Sequence, residues 1–384
     1  MNITLVSTLN FNPGDEFIRL GMEHVLRQKF PDARLRPIHK HDPRTLFSGF
    51  SQKRSTPHRL LSPMLYRLYA GGPGRKQENY LESADIVVFA GTPFIWRNSP
   101  VLFRSTCANA EWVSPIWERL FDELRQVPVL NLAAGTSVSN QEQIDAITND
   151  STVSGFLKRA LSRAQVTTVR DQISRDILGH LGFPVKTIPC SSILSAKGAF
   201  LEPQEPEYVA INLMRSASHS GRGHRGRPDE WRKSIERVVP EIEKRHRILF
   251  VSHSVDEDQT AAEWFPQHPR IVSKDPIVLL KAYSKALYGL CNRVHGAAAV
   301  ATFGRPAIVV GGDSRINLIE QFGLPAYDHR QIDGPKLIER VEHIERNYDD
   351  YVRRLAAKID DTQKAYLAAL EQVLVQERQM AIGQ

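Results

Sequence analysis

Residues 167–188 read TTVRDQISRDILGHLGFPVKTI. Positions 167–169 form a short strand-like run, 172–181 a helix that ends at Gly182, and 186–188 a second short strand. Strand, helix and strand in that order argue for parallel pairing across a helical crossover. The same alternation extends toward the N-terminus. Residues 3–7 are an apolar opening strand, 10–15 a loop and 16–29 an amphipathic helix. Residues 84–90 form a β-branched run that stops at Gly91. A helix over 115–126 puts Trp117, Leu120, Phe121 and Leu124 on one face, and a buried strand over 127–133 closes at Gly135.

Apolar periodicity lapses over 195–206, where Gly198, Pro203 and Pro206 predict a linker. It then restarts, with strands over 208–214, 247–252, 287–291 and 307–310 and helices over 231–245, 277–284 and 295–303. Residues from 335 to about 379 are charge-rich and favour one or two amphipathic C-terminal helices. The chain therefore reads as α/β, with two Rossmann-like domains facing across a cleft that holds the active site. The expected divisions are 1–195, 207–334 and, for the C-terminal helices, 335–384. At 384 residues the chain has the length for two cores.

Composition narrows the function classes. The three cysteines, Cys107, Cys190 and Cys291, are odd in number and far apart, which argues against a disulfide framework or a zinc site. A reducing, cytoplasmic setting is expected. The first residues read as a strand rather than a leader, and the longest apolar runs are too short to span a bilayer. A formal charge of +7 without a basic, aromatic-interleaved stripe favours small anionic ligands over nucleic acid.

In open parallel sheets, ligands bind beyond the carboxyl ends of strands. Five such loops stand out. Asn12, Gly14 and Asp15 follow the first strand, where Asp15 is either a helix cap or a ligand contact. Gly91-Thr92-Pro93 follows the 84–90 strand, and either faces substrate through Thr92 or simply turns with Trp96 packed behind it. Arg170 can hold a carboxylate or phosphate bidentately, while Asp171 fits a helix cap. Arg215 follows a strand of the second half, ahead of a basic loop over 216–227 that either closes on an anion or is solvated. The sharpest is Cys291-Asn292-Arg293-Val294-His295-Gly296. There a permanent charge, a group that titrates near neutrality and a helix N-terminus coincide.

The order of these motifs resembles the polysaccharide pyruvyl transferase family. The match comprises residues 12–16 (Asn-x-Gly-Asp-Glu), the 84–88 strand ending at Gly91, residues 168–174 (Thr-Val-Arg-Asp-x-x-Ser), Arg293-Val-His295 and residues 304–308 (Gly-Arg-Pro-Ala-Ile). The resemblance implies a glycosyltransferase-B-like pair of domains. It also implies transfer of pyruvate from phosphoenolpyruvate to hydroxyls of a sugar or glycan intermediate, free or lipid-linked. No metal and no cofactor beyond the donor substrate are implied. Peripheral contact with a lipid-linked acceptor is compatible with it, and the oligomeric state is open. Arg293 and His295 take the catalytic and donor-binding positions, with Arg215 as a second donor-binding arginine. Asn12, Gly14, Asp15, Thr92, Arg170 and Asp171 fall on the acceptor side. The family commonly carries a glycine run where this chain has Gly91-Thr92-Pro93, which leaves the acceptor open.

The residue chemistry agrees with that reaction. A donor bearing carboxylate and phosphate calls for arginines and a helix N-terminus, and ketal formation calls for a group that moves protons. Two rival readings remain on the same architecture: a nucleotide-sugar-dependent glycosyltransferase, or a non-catalytic protein that binds an anionic metabolite.

Overall fold

The computed structural model describes residues 1–10, 12–40, 75–91, 93–95, 115–136, 141–217, 228–312 and 314–382. Along the chain come β1 (Asn2–Ser7), α1 (Pro13–Lys29), β2 (Arg34–His39), α2 (Arg75–Glu82), β3 (Ile86–Ala90), β4 (Pro93–Ile95), α3 (Pro115–Asp122) and β5 (Val129–Thr136). There follow α4 (Gln141–Asn149), α5 (Ser151–Arg163), β6 (Val166–Val169), α6 (Gln172–His180), β7 (Lys186–Thr187) and α7 (Ser195–Ala199). The second half contributes β8 (Tyr208–Asn212), α8 (Pro228–Glu243), β9 (Ile248–Ser252), α9 (Val255–Trp264), β10 (Arg270–Val272), α10 (Pro276–Tyr283) and β11 (Ala286–Cys291). It closes with α11 (Val294–Ala301), β12 (Ala307–Gly311), α12 (Asn317–Glu320), β13 (Ala326–Asp328), α13 (Gly334–Arg346) and α14 (Tyr348–Ile382).

The chain divides into two compact units. The first holds residues 1–9, 26–188 and 366–384, and the second holds 10–25 and 189–365. Grouping by contact thus sets the start of α1 with the second sheet, whereas the sequence reading kept 1–195 together.

The first unit is built on a parallel sheet of order β2-β1-β3-β5-β6-β7, with β4 paired to β5 beside it. The run over 86–90 is buried at every position, as a central parallel strand requires. Trp117 of α3 stacks on Phe89 at 4.4 Å and meets Phe156 of α5 edge-on, so the apolar face read over 115–126 does form part of the core. Strand β2 was not anticipated. Its sequence RLRPIH mixes arginines with a proline, a composition that an edge strand tolerates.

The carboxyl edge of this unit is tied by the 168–174 motif. The Thr168 hydroxyl accepts the N–H of Ala133, which sits at φ +51 where β5 slips register against β6. Arg170 is 2% exposed and donates from Nη1 to the Gly91 carbonyl. Asp171 caps α6 by accepting the Ser174 N–H at 2.7 Å.

The second unit is a parallel sheet of order β10-β9-β8-β11-β12-β13. Its first strand, β8, lies beside β11, so connections leave in opposite directions on either side of that pair. This is the topological switch point at which open α/β sheets bind ligands. The expected linker over 195–206 needs correction at its start. Residues 191–199 are a 3-10 turn and α7, almost wholly buried. Apolar periodicity fails there because the packing is by small residues. A Cβ at Gly198 would overlap the Leu20 carbonyl, one at Gly21 would overlap that of Ser191, and the Ser191 hydroxyl donates to the Ile18 carbonyl at 2.8 Å. The 335–379 region forms two helices, α13 and α14, as read.

A Cβ at Gly135 would overlap the Arg170 guanidinium. Gly135→Ala is therefore expected to lower stability by ~1–3 kcal/mol through overpacking, measured as a lower urea midpoint at unchanged m-value. An unchanged midpoint would show that Arg170 is not held as described.

Candidate functional site

The second unit's switch point is sewn together by two asparagines. Asn212, the last residue of β8, donates from Nδ2 to the Val251 carbonyl and to Glu257, and accepts the Arg293 N–H at 2.9 Å. Asn292, just past β11, accepts the Met214 N–H and donates to the Val310 carbonyl, both at 2.8 Å. Four strand ends are thereby fixed around the start of α11, whose N-cap residue is Arg293.

Glu257, in the first turn of α9, is 3% exposed and fully engaged. One oxygen accepts the His253 N–H and Asn212 Nδ2, and the other accepts Arg293 Nε at 2.5 Å. Burial pushes this carboxyl up. The charge of Arg293, with His253 and the hydrogen bonds, outweighs it and leaves the group below the ordinary carboxylate range. The Arg293 side chain is 18% exposed. Among the described residues its hydrogen bonds end at Nε, so the Nη1/Nη2 edge is open for a bidentate anion beside a helix N-terminus.

His295 lies in the first turn of α11, half-buried. Its ring is against Gly14: a Cβ there would stand 2.5 Å from Nδ1. Gly14 belongs to the start of α1, capped by Asn12, whose side-chain oxygen accepts the Gly14 N–H at 3.1 Å and whose carbonyl accepts from Asp15 and Glu16. Helix α1 begins at Pro13, three residues before the position read from sequence, and Asn12 rather than Asp15 is the cap. A short polar side chain ahead of Pro and Gly is the better cap, because Asp15 is already inside the first turn. Glu16 reaches back to the Asn10 N–H at 2.7 Å and holds the loop onto the helix.

Two motifs far apart in sequence therefore meet in one unit: Asn12, Gly14 and Asp15 with Arg293 and His295. Arg215 is in the same unit but at the other end of α9, exposed, paired with Glu263 and over the Trp264 ring at 5.9 Å. Glu257 and Glu263 are six residues apart, about 9 Å along the helix. Arg170 and Asp171 lie in the first unit, where their side chains bond the Gly91 carbonyl and the Ser174 N–H. Burial raises the Asp171 carboxyl against the pull of Ser174 and Arg170. Thr92, Trp96 and residues 218–227 of the basic loop lie outside the described residues. Among the described residues no group of three His, Cys, Asp or Glu is placed to hold a metal ion, and no helix is long and apolar enough to cross a membrane.

Sequence reading missed Glu257, Asn212, His253 and Tyr283. His253 is buried, bonded through Nε2 to Tyr283 Oη at 2.8 Å and edge-on to Phe17 of α1. Burial pulls its imidazole down to about 4; Glu257 opposes the shift and Arg293 adds to it. The only signal was position: residues 252–257 (SHSVDE) directly follow a strand.

A family model described as polysaccharide pyruvyl transferase matches residues 12–314. No curated protein sequence matches significantly. Among solved structures, a protein described as a UDP-N-acetylglucosamine 2-epimerase from Listeria monocytogenes aligns over 93% of this chain and 90% of its own, at TM-score 0.53 and 13% identity. UDP-GlcNAc 2-epimerase from Neisseria meningitidis, bound to UDP-GlcNAc, aligns over 97% and 100%, at 0.52 and 12%. S. aureus MnaA in its UDP co-structure aligns over 92% and 90%, at 0.52 and 14%. Identities this low carry the fold alone: two-domain α/β, of the glycosyltransferase-B type.

Two outcomes follow from the buried cluster. Glu257→Gln leaves Arg293 without its counter-charge and is expected to cost ~2–4 kcal/mol in denaturant unfolding. For His253 the folded pKa lies below the unfolded value of about 6.5, so the unfolded state binds the extra proton. Stability is then full above pH ~6.5 and falls toward pH ~4, by on the order of 3 kcal/mol. Unfolding free energies at several pH values should show this slope in wild type and a shallower one in His253→Gln. Equal slopes would refute it.

Proposed function

The chain belongs to the polysaccharide pyruvyl transferase family, and from that premise we propose that it moves a pyruvyl group from phosphoenolpyruvate to two hydroxyls of a sugar or glycan intermediate. The observation that carries this reading is Arg293. Glu257 fixes its guanidinium through Nε, and the remaining edge stands at the α11 N-terminus two residues from His295. That edge matches a carboxylate or phosphate of the donor.

In the proposed reaction the donor's methylene carbon gains a proton, and positive character develops at the adjacent carbon. One acceptor hydroxyl adds to that carbon and releases its proton. The second hydroxyl then displaces phosphate, so the net change is donor plus diol to ketal plus inorganic phosphate. His295 is assigned one of the proton transfers. Gly14 lets α1 approach its ring without a side chain between them. Asn12 and Asp15, at the same helix start, are assigned to the acceptor's hydroxyls. Arg215 is assigned to the donor's second anionic group, reached by exchanging Glu263 for ligand.

A second reading has its own support. The UDP and UDP-GlcNAc bound by two structural neighbours favour a nucleotide-sugar donor on this fold. Thermal unfolding with each ligand separates the two. Phosphoenolpyruvate at a hundredfold excess over its dissociation constant is expected to stabilise the wild type by ~2.7 kcal/mol, an effect lost in Arg293→Ala. Stabilisation by UDP with none by phosphoenolpyruvate would replace the proposal with the nucleotide-sugar reading.

With an acceptor in hand, His295→Ala is expected to lower kcat by ~10²–10⁴-fold, read as inorganic phosphate release. A kcat within a few-fold of wild type would remove His295 from the chemistry.

A further inference from the structure

Helix α1 carries a buried acid that none of the roles proposed above uses. Glu16 is 4% exposed, and both of its carboxylate oxygens are engaged. Oε1 accepts the Asn10 N–H at 2.7 Å, and Oε2 accepts from Arg19 Nε at 2.6 Å. Arg19 also donates from Nη1 to Glu23, itself buried, one turn farther along the helix. Burial pulls the guanidinium down, and Glu23 and Glu16 together outweigh it, so the cation between them is held charged.

Positions 16, 19 and 23 follow one stripe of α1. Exposed pairs of this kind are weak, because water screens them and the long side chains stay mobile. Here both carboxylates are almost wholly out of water, and removing either partner would leave a buried charge without compensation. The stripe ends on backbone. Asn10 has φ +55, a left-handed conformation that a non-glycine residue keeps where its surroundings hold it, and Glu16 holds its N–H.

This brace controls where α1 begins. The first turn of a helix has no intrahelical partner for its N–H groups, so its position depends on the cap and on the chain ahead of it. Asn12 supplies the cap through the Gly14 N–H, and Asn10, two residues earlier, is tied by Glu16. Gly14 stands so near His295 that a Cβ would lie 2.5 Å from Nδ1. A displacement of Asn10 and Asn12 is therefore passed directly to the surroundings of that ring.

We propose that Glu16 is a positioning residue, an inference that rests on the reading of His295 as a proton carrier in pyruvyl transfer. With Arg19 it sets the spacing between the start of α1 and the His295 imidazole, and so the placing of Asn12 and Asp15 for the acceptor. It touches neither substrate.

Turnover and ring signals test this on the full-length protein, in wild type, E16Q, E16D and R19K, each checked for folding by its urea midpoint. E16D keeps the charge that Arg19 needs and loses the reach to Asn10. E16Q and E16D are expected to lower kcat by about ten- to hundredfold. KM for phosphoenolpyruvate is expected to stay within about threefold of wild type, because Glu257 holds Arg293 independently. R19K, which keeps a cation beside Glu16, is expected to retain more of the wild-type kcat than E16Q. In substrate-free protein, the His295 ring nitrogen signals in NMR spectra, assigned by their loss in His295→Ala, are expected to shift in E16Q and E16D. Unmoved ring signals in E16D overturn the proposal, as does a kcat within about threefold of wild type in both Glu16 variants. The ring signals need no donor, so they decide the role of Glu16 even where phosphoenolpyruvate fails to bind. That failure counts against the pyruvyl reading alone.

Discussion

The candidate site depends on one buried carboxylate. Glu257 neutralises Arg293, and so makes it tolerable to hold a guanidinium largely out of water. It does so through Nε alone, which fixes the plane of the group and leaves the opposite edge without a hydrogen bond among the described residues. A carboxylate placed across the two η nitrogens would have compensated the charge equally well and closed the site. The same carboxylate accepts from the His253 backbone and from Asn212, so the arginine, the β9–α9 turn and the end of β8 are positioned by a single group.

Topology explains why the cluster forms where it does. Only between β8 and β11 do the connections of the second sheet diverge, leaving space above the strand ends. Backbone groups just past the strand ends have left the ladder, and Asn212 and Asn292 bond them on both sides. Helix α1 completes the setting. Its glycines meet backbone and ring directly, Gly21 at Ser191 and Gly14 at His295, and its Phe17 covers His253.

What could be read in the sequence follows from how local each signal is. The parallel sheets were legible because buried parallel strands are continuous apolar runs, as over 86–90 and 307–311. Strand β13, three residues long at a sheet edge, offers no such run. The meeting of Arg293 and His295 with a helix start was legible because arginine, histidine and the first helical turn fall within three positions. Glu257 was not: between Asp256 and Asp258 it looks like any acid in a first helical turn, and its partner is 36 residues away. Arg170 shows another limit of a local signal: nothing in a strand-end arginine announces that it ties Gly91 and packs on Gly135.

The two arginines held by α9 differ in a way that bears on how an anion is captured. Arg215 and Glu263 are both about half exposed, and such a pair is worth ~0–1 kcal/mol, so an incoming anion can take the place of Glu263 at little cost. Arg293 and Glu257 are buried together, and separating them would leave a charge without compensation. One arginine is thus releasable and the other fixed, on a single helix about 9 Å long between its two carboxylates. For the donor proposed above, the Arg293 edge needs no reorganisation, because Glu257 already orients it, whereas Arg215 must first leave Glu263.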